Sequence, residues 1–249
     1  MNILKVISAL MNYPSQELQQ HADALVAEIK QAKEIPPESR ENLIALVDST
    51  CRRDLMDVQE EYGQLFDKGS SLSLLLFEHV HGDSRERGQA MVDLMALYET
   101  NGFDIAVREL PDFIPLYLEY LAQRPDLEAR EGLANVGHIF GVLAARLQER
   151  EYPHFALFEA LLIISGVEVN TEELKEAAAT EVRDDSMEAM DKIWEEEQVT
   201  FMANQQSDGD GSSSGCSVPS QNPTKAREEP AVPLHWVSND QAIDATQSK

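Results

Sequence analysis

The sequence predicts an all-α protein, in which a single bundle of many helices is followed by a disordered tail. Leu, Ala, Glu and Gln are abundant, whereas the 249 residues include only 12 Gly and 11 Pro, a composition typical of helices. Apolar residues recur at helical spacing through most of the chain. From about Asn204 the chain is rich in Ser, Gly, Pro and Asn, which is typical of disorder.

Four helices are predicted before residue 70, each an apolar stripe that stops at a breaker. The first stripe runs from Ile3 to Met11 and stops before Tyr13-Pro14. Ser15 is placed to cap a second helix, which ends before Pro36-Pro37. The third is marked by Leu43, Ile44, Leu46 and Val47, and the fourth by Leu55, Val58, Tyr62, Leu65 and Phe66, closed by Asp67-Lys68-Gly69.

In the middle of the chain the sequence predicts a buried helical segment, a helix break and a linker. The run SSLSLLLFEHV ends at Gly82, and Asp83 with Glu86 has the spacing of a capping box. The helix that it opens ends at Asn101-Gly102. A linker near 103–112 then joins two helical halves, and Pro111 is expected in the first turn of the next helix, IPLYLEYLA.

The second half predicts four further helices. They are a long amphipathic helix from Leu127 to Leu147, an almost wholly apolar and therefore buried helix from Phe155 to Ser165, and helices from Thr171 to Val182 and from Ser186 to Phe201. The helical domain is thus expected over 1–203 and the disordered polar tail over 204–249. An apolar island around Trp236 interrupts the tail, and it is either a docking patch or a lone aromatic in a loose segment.

Charge and cysteine usage restrict the class of protein. The formal net charge is −25, which repels phosphate backbones and anionic lipid and favours cationic partners, so we expect no nucleic-acid binding. Cys51 and Cys216 form no CxxC pair, which suits a reducing cytosol. The N-terminus lacks a secretory core with a cleavage site, and no apolar run is long enough to span a membrane. We expect a soluble, cytoplasmic protein.

The stretch FEHVHGDSRERG (77–88) contains three apparent sites. Glu78, His79 and His81 suggest a metal, but residues two apart on a helix point about 200° apart and do not converge on one ion. Ser84 suggests a hydrolase, but it falls in the first turn of a helix, where Ser and Asp are expected for capping. Arg85 and Arg87 could bind an anion or pair with nearby acids, and their role stays open.

No other motif predicts catalysis. A di-iron bundle needs two Glu-x-x-His motifs, whereas only Glu151 and His154 have that spacing, with Pro153 between them. Phosphate-binding, dinucleotide-binding and zinc-protease motifs are absent from the sequence. We therefore expect a protein that is not an enzyme and that has neither a cofactor nor a metal.

The linker RELPDFIPLYLEYL suggests a binding site for a peptide. Glu109 and Asp112 are followed by Tyr117 and Tyr120 on an apolar helix, and carboxylates around an aromatic groove would suit an amphipathic or basic peptide helix. The alternative is a helix N-terminus with acids placed for its dipole. The residues by themselves do not separate the two interpretations.

Three segments of the chain resemble a known family. They are EYGQLFDKGSSLSLLLFEHVHGDSRERGQAMVDL (61–94), RELPDFIPLYLEYLAQ (108–123), and RDD followed by WEEEQV within 183–199. In these segments the chain is similar to the nitrate reductase molybdenum cofactor assembly chaperones, the delta-subunit family, and the resemblance covers roughly residues 1–203. The wider group is that of the redox-enzyme maturation chaperones, which includes the TorD and DmsD proteins.

The resemblance implies a TorD-like helical bundle without enzymatic activity. It implies a partner, the apo catalytic alpha subunit of respiratory nitrate reductase, bound partly through its N-terminal segment. The chaperone would keep that subunit competent for insertion of the molybdenum cofactor and for membrane assembly, and would be absent from the mature enzyme. There are two rival hypotheses: that the protein is an acidic adaptor for another complex, and that it is a metalloenzyme.

The wider group carries a Glu-x-x-Asp-His motif in the linker between the helical halves. Glu109 and Asp112 match this motif, whereas Phe113 replaces its histidine. The resemblance thus implies a binding role for Glu109 and Asp112, and it excludes any mechanism that depends on the charge of that histidine.

Overall fold

A computed structural model describes residues 1–81, 85–105 and 109–181, together with the single positions 183, 184, 189 and 191. Within these residues there are twelve α-helices and no β-strand, which confirms the all-α prediction; Leu75 and Phe113 pair as an isolated antiparallel bridge. The predicted Asp83 cap and the tail from Asn204 lie outside the described residues, as does the helix predicted over 186–201 apart from two positions.

The helices follow in chain order: α1 Asn2–Met11, α2 Gln16–Gln20, α3 Ala22–Gln31, α4 Pro37–Cys51, α5 Leu55–Phe66, α6 Leu76–His81, α7 Arg85–Thr100, α8 Ile114–Ala122, α9 Asp126–Asn135, α10 Gly137–Glu149, α11 Phe155–Ser165 and α12 Thr171–Thr180.

The N-terminal helix α1 lies between α8 and α3. Its side chains are buried nearly all round, so it is a core helix rather than a surface one. The one polar group among them, Ser8, donates a hydrogen bond from Oγ to the Pro115 carbonyl at 2.9 Å. This bond joins α1 to the first turn of α8 and satisfies a buried hydroxyl group.

The second centre of the core is α11, which packs against α9, α10 and α4. Its bounds agree with the prediction from the sequence, because seven of its eleven residues are buried and the apolar run therefore coincides with the helix. Gly166 ends the helix at φ 73°, a left-handed conformation that glycine adopts without steric cost, and its N–H bonds to the Leu162 carbonyl.

The prediction of one long helix over 127–147 is wrong. The chain turns at Val136, which separates α9 from α10. A Cβ atom at Gly132 would lie 2.6 Å from Leu121 of α8, and one at Gly141 would lie 2.9 Å from Leu174 of α12. The two helices on either side of Val136 thus each make a close contact with a different neighbour, α9 with α8 and α10 with α12.

Two smaller predictions also differ from the structure. Ser15 does cap a helix, since its side chain accepts a hydrogen bond from the Leu18 N–H, but the helix breaks at His21. Gln19 donates to the Thr50 and Arg53 carbonyls, so α2 is held at the end of α4 while α3 packs along it. In addition, α8 begins at Ile114, so that Pro115, not Pro111, occupies its first turn.

Among the helices that the structure describes, none combines the length and the apolar character needed to cross a membrane.

Candidate functional site

A groove of about 300 Å³ lies beside the linker. Its walls come from the end of α5, the loop before α6 and the segment before α8. The lining residues are Tyr62, Phe66, Asp67, Ser73, Leu74, Leu75, Glu109, Leu110 and Phe113. Two of these residues are acids and none is basic, so the groove suits a cationic or amphipathic segment.

Backbone pairing brings the two loops of this groove together. The Ile114 N–H donates to the Leu74 carbonyl at 2.8 Å, and the Leu76 N–H donates to the Asp112 carbonyl at 3.0 Å. Between these bonds Leu75 and Phe113 form the antiparallel bridge. Residues 74–76 and 112–114 thus act as one short ladder, which satisfies buried backbone groups outside the helices.

Asp112 is fully buried and connects the linker to α6. Its Oδ2 accepts a hydrogen bond from the Phe77 N–H at 3.1 Å, and so it caps the first turn of α6 from a segment 35 residues away. Its Oδ1 has no hydrogen-bond partner among the described residues. Burial raises the pKa of this carboxyl group, although the Phe77 hydrogen bond and the Arg87 charge oppose the shift. Asp112 supports the groove from inside.

Glu109 and Phe113 lie at the groove itself. Glu109 is exposed, so its carboxylate is available to a ligand. Phe113, at the position where the wider group has a histidine, is half-buried and adds an apolar side chain to the wall. The resulting surface combines an acid with an aromatic ring.

Tyr117 and Tyr120 pack inside the protein. Tyr117 is 8% exposed and donates from its hydroxyl to the Gly132 carbonyl at 3.0 Å. Burial raises its pKa to about 12. Tyr120 is 5% exposed and lies against Tyr98 and Arg124. The structure therefore brings Glu109 and Asp112 to the groove region and the two tyrosines to the core, and peptide contact by the tyrosines stays a prediction.

Two aromatic residues outside the linker motif form the inner wall of the groove, and both are largely buried. Tyr62 and Phe66 come from α5, with ring centroids 4.9 Å apart. Their spacing of four residues marked them as the buried face of a helix. Because a core stripe and a groove wall have the same periodicity, the sequence carried no signal that would have separated the two roles.

The stretch 77–88 contributes hydrogen bonds and an ion pair to the same region. The His79 Nε2–H donates to the Ser73 carbonyl at 2.9 Å, and burial lowers the pKa of this imidazole. Arg87 lies 3.4 Å from Glu78, so one of the two unassigned arginines pairs with a local acid. Ser84 lies outside the described residues. Within the residues that are described, no group of three or more His, Cys, Asp and Glu could hold a metal ion.

A larger groove, of about 470 Å³, lies between α1, α2, α3 and α8. Its charged and titratable lining residues are mixed: Lys5 and His21 accompany Glu17 and Glu119. A basic segment would meet a cation there, whereas in the groove beside Glu109 it would meet only acids. Charge therefore favours the smaller groove for a cationic partner.

Comparison with known proteins gives consistent results. The family model described as nitrate reductase delta subunit matches residues 13–160. The chain is 46% identical over 200 residues to the nitrate reductase molybdenum cofactor assembly chaperone NarJ of Escherichia coli K12, a match that covers 80% of this chain and 85% of that protein.

Two further relatives carry similar descriptions. The probable assembly chaperone NarW of the same strain is 46% identical over 202 residues, which cover 81% of this chain and 84% of that protein. The probable NarJ of Bacillus subtilis is 28% identical over 159 residues, which cover 63% of this chain and 84% of that protein.

Proposed function

The chain belongs to the nitrate reductase delta subunit family, and from that premise we propose that it is a chaperone for the assembly of respiratory nitrate reductase. The observation that carries the proposal is the 46% identity to the NarJ chaperone over most of both chains. The protein acts in the cytoplasm on the catalytic alpha subunit before the molybdenum cofactor is inserted, and it is not an enzyme.

The finer part of the proposal concerns the N-terminal segment of the alpha subunit. This segment binds as an amphipathic helix in the groove beside Glu109, with its apolar face against Leu110 and Phe113 and a basic side chain near Glu109 or Asp67. Two acids without a base in the groove, on a chain with a net charge of −25, support this arrangement. Asp112 takes part indirectly, because its side chain is buried.

A calorimetric titration tests the groove. A synthetic peptide with the sequence of the alpha subunit N-terminus is titrated into the intact chain and into the Glu109→Gln variant. Glu131→Gln is the matched control, since Glu131 is also exposed and the change removes the same charge from the outer face of α9. We expect weaker binding for Glu109→Gln only, by about twofold to fivefold, as for one exposed ion pair.

The same titration at rising salt concentration separates an electrostatic from a purely apolar contact. Affinity of the intact chain should fall as salt screens the acids, and the slope should be shallower for Glu109→Gln. If titration of the peptide into the intact chain gave no binding heat, the N-terminal segment would be removed from the proposal. A fall of equal size in both variants would remove Glu109.

The choice of client has its own test. A tagged intact chain is used to capture partners from cells grown anaerobically on nitrate, and the catalytic subunit should be the dominant captured protein. Capture of a different enzyme in its place would favour the hypothesis of an acidic adaptor for another complex.

A further inference from the structure

Asp184, which follows α12 in the chain, forms hydrogen bonds with the loop that precedes α6. The Asp184 carboxylate accepts two hydrogen bonds from Ser71, one from the backbone N–H at 2.7 Å and one from Oγ at 2.5 Å. Arg150, which directly follows α10, donates to Ser71 Oγ at 2.9 Å and lies 3.6 Å from Asp184 Oδ1. Residues 113 positions apart in the sequence are therefore joined by charge-assisted hydrogen bonds.

Arg146 of α10 extends this network to a second acid. It donates to the Ser71 carbonyl at 2.7 Å and binds both carboxylate oxygens of Glu181, at 2.7 and 2.6 Å. Burial by itself would raise the pKa of Asp184, but the hydrogen bonds from Ser71 and the charge of Arg150 outweigh it and lower the pKa. The carboxylate form of Asp184 is thus the form that the site stabilises.

Because Gly69 has no side chain, the Asp184 carboxylate can lie against its backbone. A Cβ atom at this position would lie 2.6 Å from the Asp184 Cγ, closer than such atoms pack. Because φ of Gly69 is not in the left-handed region, an alanine would fit the backbone and would displace only the end of the Asp184 side chain. A change at Gly69 can therefore open the contact without removing any charge.

The loop that contains Ser71 also forms part of the groove wall, and its own hydrogen bonds hold that part. The Ser73 N–H donates to the Ser70 carbonyl at 3.2 Å, the Ser73 carbonyl accepts from His79, and Ser73 Oγ accepts from the Leu75 N–H at 3.2 Å. Ser73 and Leu75 both line the groove beside Glu109. The loop that Asp184 holds is the same loop that shapes the groove.

We propose that Asp184 is a positioning residue for the groove: together with Arg146 and Arg150 it seats the 69–75 loop and so sets the affinity of the groove for its peptide. The inference rests on the proposed function, because the groove is taken as the site of the alpha subunit N-terminus. It assigns a role to Asp184, which lies in one of the three segments that resemble the family.

Two variants open the contact by different means. Asp184→Asn removes the charge, and Gly69→Ala displaces the carboxylate by steric contact. The controls are Asp23→Asn, which breaks an exposed ion pair with Arg52, and Gly88→Ala, where a Cβ atom would meet nothing within 4 Å. Retained strong protection of α11 from hydrogen exchange serves as the internal standard for an intact fold in all four proteins.

Hydrogen–deuterium exchange is measured on the intact chain and the variants, followed by titration of the synthetic peptide. Both contact-opening variants should exchange about tenfold faster at the backbone amides of residues 71–79, since local opening sets these rates. Peptide affinity should fall by about fivefold to tenfold, within the usual range of coupling between sites. Neither control should change either measurement.

The outcomes distinguish this inference from the proposed function. If the contact-opening variants exchange faster at Ser71 alone, with residues 73–79 unchanged, the inference is overturned, whether or not their peptide affinity changes. Faster exchange through 73–79 with full peptide affinity overturns it as well. If the intact chain does not bind the peptide, the proposed function fails at that step, and the exchange rates alone decide whether Asp184 positions the groove wall.

Discussion

In α11 seven of eleven side chains are buried, whereas in residues 86–100 of α7 the buried side chain is Tyr98 alone. The region around α11 is stabilised by apolar contacts that its own sequence carries. Around the groove, α6 and α7 depend on polar bonds to distant segments: Asp112 caps α6, and the Tyr98 hydroxyl donates to the Pro111 carbonyl at 2.8 Å. Such a region opens at a lower free energy than a packed core, as is usual for surfaces that bind partners.

The largest difference between the two regions is expected when one large side chain in each is truncated and the loss in free energy of unfolding is compared. Phe158 of α11 is fully buried, with its ring 6.1 Å from that of Phe140. Phe158→Ala should lower the free energy of unfolding by about 3–5 kcal/mol, because it removes apolar contacts and leaves a cavity. Met95→Ala, on the exposed side of α7, should change it by less than about 0.5 kcal/mol. Chemical denaturation measures both, and equal losses would contradict the comparison.

The next largest effect depends on pH and concerns His154, which precedes α11 and contacts Phe66 of α5. Burial lowers its pKa to about 4, although the charge of Glu61 opposes the shift. The unfolded chain therefore binds a proton more readily than the folded protein, so the neutral histidine stabilises the fold above about pH 6.5. This stabilisation, up to about 3 kcal/mol, is lost as pH falls from 6.5 towards 4.

The dependence of stability on pH, compared between the intact chain and a variant, checks this prediction. Denaturation midpoints of the intact chain and of His154→Gln are measured between pH 7.5 and 4. The variant should be less stable at neutral pH and should lose less stability on acidification. His21→Gln, at an exposed position, is the control for the loss of an imidazole side chain as such. A variant at His154 with the slope of the intact chain would show that this group does not control acid stability.

Sequence periodicity predicted α1, α5 and α11 well because the apolar residues of each are local and continuous. It did not predict the groove, because the bonds that build the groove join residues far apart: Asp112 with Phe77, and Asp184 with Ser71. Of the residues in the linker motif, Glu109 lines the groove, whereas Tyr117 and Tyr120 are buried, since residue type alone does not tell which face of a helix packs inward. Contact of any of these residues with a peptide stays a prediction.

Asp112 allows a test of the distant cap. Asp112→Ala removes the acceptor for the Phe77 N–H and should cost about 1–2 kcal/mol. Asp112→Asn keeps an acceptor and removes a buried charge, so it should cost less. Because burial raises the pKa of Asp112, the folded protein holds this proton more tightly than the unfolded chain. The carboxylate therefore destabilises the fold as pH rises through that pKa, and the advantage of Asn should grow with pH.

Asp54 provides the matched control for this cap. It caps α5 from within the same segment, through hydrogen bonds from the Met56 and Asp57 N–H groups, and it is exposed. Asp54→Ala should destabilise the protein without faster hydrogen exchange at residues 109–113. Asp112→Ala should accelerate exchange both there and in α6. The same exchange pattern in the two variants would contradict a special role of Asp112 in joining the linker to α6.

The smallest predicted effects come from glycine, and they differ in sign between the two regions. Gly166 ends α11 at φ 73°, where a Cβ atom is unfavourable, so Gly166→Ala should cost about 1 kcal/mol. Gly88 lies inside α7 with open space around it, so Gly88→Ala should stabilise the protein by about 0.4–1 kcal/mol, mainly because it restricts the unfolded chain. Thermal unfolding of the two variants measures both values. If Gly88→Ala instead destabilised the fold, the description of α7 as a sparsely packed helix with open space at Gly88 would be wrong.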